Sequence, residues 1–207
     1  MTTSMIVIDD FLDDALNFRN AVLNLDFPKA DKPKGYPGKN SQQKIQLPGL
    51  EQEISRIVQE PLTAKRDAGH GTSRITLAGE TGAANIHIDQ GHWSGILYLT
   101  LPEHCQGGTQ FFRHKESGTE RALLEKSDLA ALGTKNPAEA NRIYNNILDN
   151  DTHDMSKWEM TMQVPMRFNR LVLIRPWLWH TAGAGFGTSM QDGRLVYLLF
   201  FDQQKTT

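Results

Sequence analysis

The feature that most constrains this chain is a series of short strand-like runs between Ser73 and Phe201, separated by turn signals and broken once by a helical stretch. Ser73–Leu77 alternates apolar and polar residues, and Asn85–Asp89 alternates strictly. Ser94–Leu101 is rich in Ile, Leu, Tyr and Thr, and Gln106-Gly107-Gly108 marks a turn before Thr109–Arg113. Strand character returns at Arg170–Ile174, Leu178–Thr181 and Arg194–Phe201. Short strands with such punctuation predict an antiparallel sandwich or jelly roll. Residues 119–158 break the pattern, with helices predicted over 121–132 and 137–148 and a further helical turn within 152–158. Ahead of the strands, Met5–Ile8 is a short β-branched run, and Ala15–Leu25 has helical spacing with Asp13 as its expected N-cap. Residues 28–44 are expected to be mostly loop, and Leu50–Val58 a second helix closed by Pro61. The expected fold class is thus mainly β, with flanking N-terminal helices and a helical insertion at about 119–158. No internal repeat or low-complexity tract is present.

Composition narrows the function classes. The chain has 207 residues, 22 Lys+Arg against 24 Asp+Glu, and a formal charge of -2. That length suits one domain over 1–207 with a true hydrophobic core. Near-neutral charge argues against a protein that grips nucleic acid or anionic membrane through bulk charge. Cys105 stands alone, which excludes an intrachain disulfide and a multi-cysteine zinc site. No apolar run has membrane-spanning length. The acidic start lacks the basic region of a signal peptide, so a cytoplasmic location is expected. Seven histidines without a cysteine cluster mean that any bound metal is held by His and carboxylate.

His87-Ile88-Asp89 is the main chemical signal. Residues two apart on a strand face the same way, about 6.5–7 Å along the backbone, so imidazole and carboxylate can converge on one ion. His180, which ends the run Pro176–His180 after the apolar strand Leu171–Ile174, is the best third ligand. Two imidazoles and one carboxylate make the facial set of non-haem Fe(II) oxygenases, with the opposite face open. A lone His-x-Asp is also what a core histidine hydrogen-bonded to an unrelated carboxylate gives. Arg194 opens the very apolar strand Leu195–Phe201. If its head group points inward it needs a partner, and a carboxylate held bidentately suits its fork; otherwise it caps a strand edge in solvent.

The order His87-x-Asp89, Tyr98-Leu99, Gly107-Gly108-Thr109-x-Phe111, His180, Arg194 resembles the Fe(II)/2-oxoglutarate dioxygenase superfamily, in particular its prolyl-hydroxylase-like branch. The opening Ile6-Val7-Ile8-Asp9-Asp10-Phe11-Leu12 is similar to the start of many members. The resemblance spans roughly residues 5–203. It implies a double-stranded β-helix (jelly roll, cupin-like) core with iron held by His87, Asp89 and His180. It implies that Arg194 binds the distal carboxylate of 2-oxoglutarate, with the Tyr98 hydroxyl helping. Ser94 is four residues before Tyr98 and faces the same interior, so its hydroxyl is a further cosubstrate candidate. The implied activity is hydroxylation of an unactivated C–H, consuming 2-oxoglutarate and O2 and releasing succinate and CO2. Asp89 favours hydroxylation over halogenation, because related halogenases resemble this site without the carboxylate. The His180–Arg194 interval is long for the branch and includes the loop 182–187. A prolyl substrate does not follow.

Other residues are weighed beside these. Asn85 shares the His87 and Asp89 face. His92 is read as hydrogen-bonded or solvated, and Trp93, Trp177 and Trp179 as core. His70, His104, His114 and His153 are expected at the surface. Lys29, Lys32, Lys34, Lys39 and Lys44 concentrate charge in 28–44, either as a solvated loop or as a lid. The expected substrate is a small molecule or an amino-acid or protein side chain, not nucleic acid and not a membrane. The alternatives are a non-oxidative cupin-like metal protein, whether isomerase or small-molecule sensor, and a silent interaction module on the same scaffold. Arg194 with Tyr98 argues against the first, and the intact His87, Asp89 and His180 set against the second.

Overall fold

Alternation along the longest strand organises the molecule. In the computed structural model, which describes residues 3–28, 35–123 and 125–204, the elements run in the order β1 (Met5–Ile8), α1 (Ala15–Leu23), β2 (Lys39–Lys44), α2 (Leu50–Val58), β3 (Leu62–Ala64), β4 (Thr72–Thr76) and β5 (Trp93–Tyr98). There follow β6 (Gly108–His114), α3 (Lys126–Ala131), α4 (Pro137–Asn150), β7 (Trp158–Pro165), β8 (Leu171–Ile174), β9 (His180–Thr181) and β10 (Arg194–Gln203). One antiparallel sheet has the order β1-β8-β5-β10-β4-β2, with β3 paired to the far end of β10; the other has the order β7-β6-β9. This is the mainly β jelly-roll architecture expected of the sequence.

On β10, Leu195, Tyr197, Leu199 and Phe201 face outward with Leu97 and Leu99 of the β5 edge and Leu171 and Leu173 of β8. They pack against Phe18 and Val22 of α1 and Leu50, Ile54 and Val58 of α2. The opposite parity, Ile96, Tyr98, Val172, Ile174 and Val196, turns toward the second sheet and meets Phe111 and Val164. On that second sheet Phe111 points in and Phe112 points out. Phe112 joins Trp158, Trp179, Leu129, Ala140, Tyr144 and Ile147, so the insertion helices cover the outer face of the smaller sheet.

Several expectations need correction. The α1 cap is Asp14, not Asp13: its carboxylate accepts from the Asn17 N–H at 3.2 Å. Residues 39–44 are strand β2, not loop, and β3 and β7 are further strands absent from the expected set. β2 is Lys-Asn-Ser-Gln-Gln-Lys and β7 is exposed along most of its length. Both are outer strands of their sheets, where alternation has no second buried face to report. The helix expected over 121–132 shortens to α3; Arg121 instead bridges to Leu178 and its guanidinium reaches Asp128 at 2.7 Å. The expected turn in 152–158 is a single 3-10 turn at Met155–Lys157. Lys29, Lys32 and Lys34 lie outside the described residues, whereas Lys39 and Lys44 end β2.

Candidate metal and anion site

Residues 85–89 do not form the regular strand that their alternation suggests. Only His87 makes a ladder pair, exchanging both backbone hydrogen bonds with His180 at 2.9 and 3.0 Å. The Ile86 N–H instead donates to the Thr152 carbonyl and the Asp89 N–H to Pro176. Three separate partners thus pin a five-residue stretch. The single pair at His87 and His180 sets their side chains side by side, with ring centroids 4.3 Å apart. Asp89, two residues on, returns to the same side.

The result is a three-residue donor cluster. One ligand atom from each of His87, Asp89 and His180 lies within 4.8 Å of the others. Nδ1 of His87 is 2.8 Å from the Asn85 carbonyl, and Nδ1 of His180 is 2.7 Å from the Leu178 carbonyl. A carbonyl only accepts, so each Nδ1 carries the proton and each neutral ring turns its Nε2 lone pair inward. Those Nε2 atoms stand 3.5 and 3.4 Å from the Asp89 carboxylate oxygens. Lone pairs facing one another at that range require a cation among them, so the donor set fits a metal ion. Without an ion, a proton on His180 takes the cation's place. Burial opposes charge on Asp89, but the neighbouring His180 and His87 hold its carboxyl well below the usual range. Burial and its neighbour push His87 down. Burial also opposes charge on His180, yet Asp89 outweighs it and raises the ring.

A cavity of about 440 Å³ opens over this cluster, lined by Ser94, Thr109, Arg194, Arg74, Tyr36 and Phe200 among others. Arg194 is 3 % exposed, and its Nε has no partner among the described residues. Its guanidinium lies 5.9 Å from the Tyr98 ring centre, and burial lowers its pKa. A buried guanidinium with an orphaned donor is costly unless an anion completes it, so this residue fits a ligand carboxylate. The Ser94 Oγ is likewise buried and unpartnered. Tyr98 shares that parity but lies beneath the cavity wall. Its hydroxyl accepts from the Thr109 N–H at 2.9 Å and pairs with Thr109 Oγ1 at 2.6 Å. Thr109 reaches it because Gly108, at φ +148°, lets β6 run so close to β7 that a Cβ there would lie 2.0 Å from the Val164 carbonyl.

The remaining candidates divide. Asn85 serves His87 through its carbonyl, while its side chain accepts from Thr181 Oγ1 at 2.9 Å. His92 sits in a separate knot with Glu60 (2.5 Å) and Arg175 (2.7 Å). Trp93 and Trp179 are fully buried in the two cores and Trp177 lies against His92. His70 and His114 are not surface residues. His70 is buried with Nδ1 2.7 Å from the Phe200 carbonyl, and His114 is held between Ser117 and Asp151. His70 lies in a loop that folds back on β10, and His114 is the last residue of β6, reached by Asp151 from the end of α4. Ala182 of the loop after β9 reaches the cavity, whereas Phe186 joins the inner core. Residues that the sequence reading passed over are Tyr36, Asn40 and Arg74. The Tyr36 ring lies 4.0 Å from that of His87, and Arg74 lies 5.3 Å from the Tyr36 centre.

A family model described as a family of unknown function, DUF6445, matches residues 1–201. The chain belongs to this family. No curated protein matches it. Among solved structures, the DUF6445 chain is similar to the non-heme alpha-ketoglutarate-dependent carbocyclase SnoK from nogalamycin biosynthesis. Identity is 14%, TM-score 0.53, and the match covers 96% of this chain and 79% of that one. HygX from Streptomyces hygroscopicus with nickel and 2-oxoglutarate bound aligns at 14% identity and TM-score 0.44, over 98% and 84% of the two chains. The SnoK likeness shows the fold: a double-stranded β-helix. Among the described residues, no helix is long and apolar enough to cross a membrane.

Proposed function

We propose that this chain is an Fe(II)- and 2-oxoglutarate-dependent oxygenase that hydroxylates an unactivated C–H bond of a small molecule or amino-acid side chain. One observation carries the reading: three inward lone-pair donors and a buried guanidinium, whose Nε has no partner among the described residues, face the same cavity. His87 and His180 through Nε2, and Asp89 through its carboxylate, are the proposed metal ligands; their Nδ1 hydrogen bonds fix ring orientation. Arg194 is proposed to hold the distal carboxylate of 2-oxoglutarate, with Ser94 offering a hydroxyl from the neighbouring strand. Tyr98 is proposed to act on that carboxylate's surroundings by fixing Thr109. When bound, Fe(II) with 2-oxoglutarate and O2 supplies the oxidising power to insert one oxygen atom into the C–H bond, leaving succinate and CO2. The chain's own contribution is to bind, orient and exclude water, with Phe200, Ile96 and Leu198 as apolar walls. The alpha-ketoglutarate dependence of SnoK supports the reading, as does the motif order that resembles the prolyl-hydroxylase-like branch. A single domain and a cytoplasmic location belong to the same proposal.

The test is anaerobic addition of 2-oxoglutarate to the Fe(II)-loaded protein, followed by air. A new visible charge-transfer band and then succinate release are expected. Folded, iron-loaded protein showing neither would remove the proposal.

A further inference from the structure

Arg74 is the cavity's second guanidinium, and the proposed cosubstrate leaves it without a task. It lies on β4, opposite Val196 of β10, whereas Arg194 lies opposite Thr76. The two arginines therefore share the inward face, two register pairs apart. Arg74 donates through Nε to Asn40 Oδ1 at 2.7 Å. Among the described residues, neither of its terminal nitrogens has an acceptor and no carboxylate pairs with it. Fixing Nε in this way leaves the two terminal N–H groups as an end-on fork, the geometry that grips a carboxylate bidentately. Tyr36 touches both this guanidinium and the His87 ring, so the fork is held beside the donor cluster.

Depth separates the two arginines. Arg194 is buried, Arg74 half-buried and Asn40 exposed, so Arg74 sits nearer the mouth, where a substrate enters after the cosubstrate. Charge points the same way. The two charges of a metal and the one of Arg194 are matched by Asp89 and a dicarboxylate, which leaves Arg74 uncompensated. Asp67 at the rim is exposed and already paired with Lys65 at 3.4 Å.

We infer that Arg74, oriented by Asn40 and backed by Tyr36, binds the carboxylate of the primary substrate, a small organic anion whose apolar body lies against Phe200, Ile96 and Leu198. This deepens the oxygenase reading and rests on it for the word substrate. The experiment uses calorimetric titration of the Mn(II)-loaded protein with benzoate, and with benzamide as the neutral control, with and without saturating 2-oxoglutarate. Wild type is expected to bind benzoate in the presence of 2-oxoglutarate and to prefer it to benzamide. Arg74→Gln should weaken benzoate roughly tenfold or more, as loss of a charge-assisted pair does, and leave benzamide and 2-oxoglutarate affinity within about threefold, less than one such bond. Arg74→Lys should restore part of the loss, and Asn40→Ala, at an exposed position, should reproduce part of it. No benzoate binding by wild type, or equal binding by folded Arg74→Gln and Asn40→Ala, overturns the inference. So does a 2-oxoglutarate loss in Arg74→Gln as large as in Arg194→Met, which would assign Arg74 to the cosubstrate. If wild type binds no 2-oxoglutarate, the oxygenase reading fails alone. Benzoate binding that depends on Arg74 but not on Arg194 would then keep the anion site.

Discussion

The two faces of the larger sheet are built from the same strands and are opposite in character. Toward α1 and α2, β5, β8 and β10 present Leu97, Leu171, Leu173, Leu195, Tyr197 and Leu199, all nearly or fully buried and apolar. One residue along, β5, β10 and β4 present Ser94, Arg194, Thr72 and Arg74 toward the cavity, beside Ile96, Val172, Ile174 and Val196 of the inner core. The first face is satisfied by the protein itself. Among the described residues, the second leaves an arginine Nε and a serine hydroxyl without partners. Strand parity separates a face given wholly to the core from one divided between core and cavity. That separation predicts that substitutions on the two faces have effects of different kinds.

The largest effect is expected inside. Asp89→Ala should lower metal affinity by more than the roughly 10–100-fold that loss of an outer-shell partner brings, with little change in folding. Metal content after gel filtration measures it, and full retention would place the ion elsewhere. On the helix-facing side, Leu97→Ala should destabilise by about 2–5 kcal/mol through lost burial and a cavity, read by urea unfolding, while metal binding persists. A matching loss of metal affinity would blur the separation of the faces.

Arg194→Met should have the reverse sign in ligand-free protein. Replacing a buried, incompletely paired charge by an apolar side chain of similar length is expected to stabilise by roughly 1–4 kcal/mol. Destabilisation of that size would show that the guanidinium is already satisfied by the protein. Tyr98→Phe removes the hydroxyl that accepts from the Thr109 N–H, leaving that buried donor unpaired at about 1–3 kcal/mol; a neutral result would detach Tyr98 from the Thr109 contact.

The smallest effect concerns His70. Burial, only partly offset by the Phe200 carbonyl, holds its pKa below the ordinary 6.5. The unfolded chain therefore takes up the proton first as pH falls, so this contribution to stability is full above about 6.5 and declines below it. His70→Gln should flatten that part of the stability profile, and an unchanged acid slope would show that His70 is free to ionise in place.

Strand parity also decides how much the sequence revealed. His87, Asp89 and His180 were legible because two of them are two residues apart and the third follows an apolar strand. The jelly roll was legible because its central strands are short apolar runs set apart by turn residues. β2 and β7 were not, since outer strands with polar or exposed positions on both sides carry no period. Arg74 lay within a correctly expected strand. Its meaning nevertheless depends on the register that sets it opposite Val196, a long-range pairing that Ser-Arg-Ile-Thr cannot announce alone. Tyr36 and Asn40 reach the site through the pairing of β2 with β4 and sit in a stretch expected to be loop. Conversely, the alternation of 85–89 promised a regular strand, and tertiary partners at Thr152 and Pro176 replaced its ladder.

The oxygenase proposal stands or falls on whether the inner face binds a metal ion and a dicarboxylate. Calorimetric titration of 2-oxoglutarate into wild type and Arg194→Met, each with and without Mn(II), tests it most directly. The account predicts binding by metal-loaded wild type, and a loss of roughly tenfold or more either without metal or in Arg194→Met, as expected for a lost charge-assisted pair. Binding that is indifferent to both metal and Arg194, or no binding by protein that retains its metal, would contradict it.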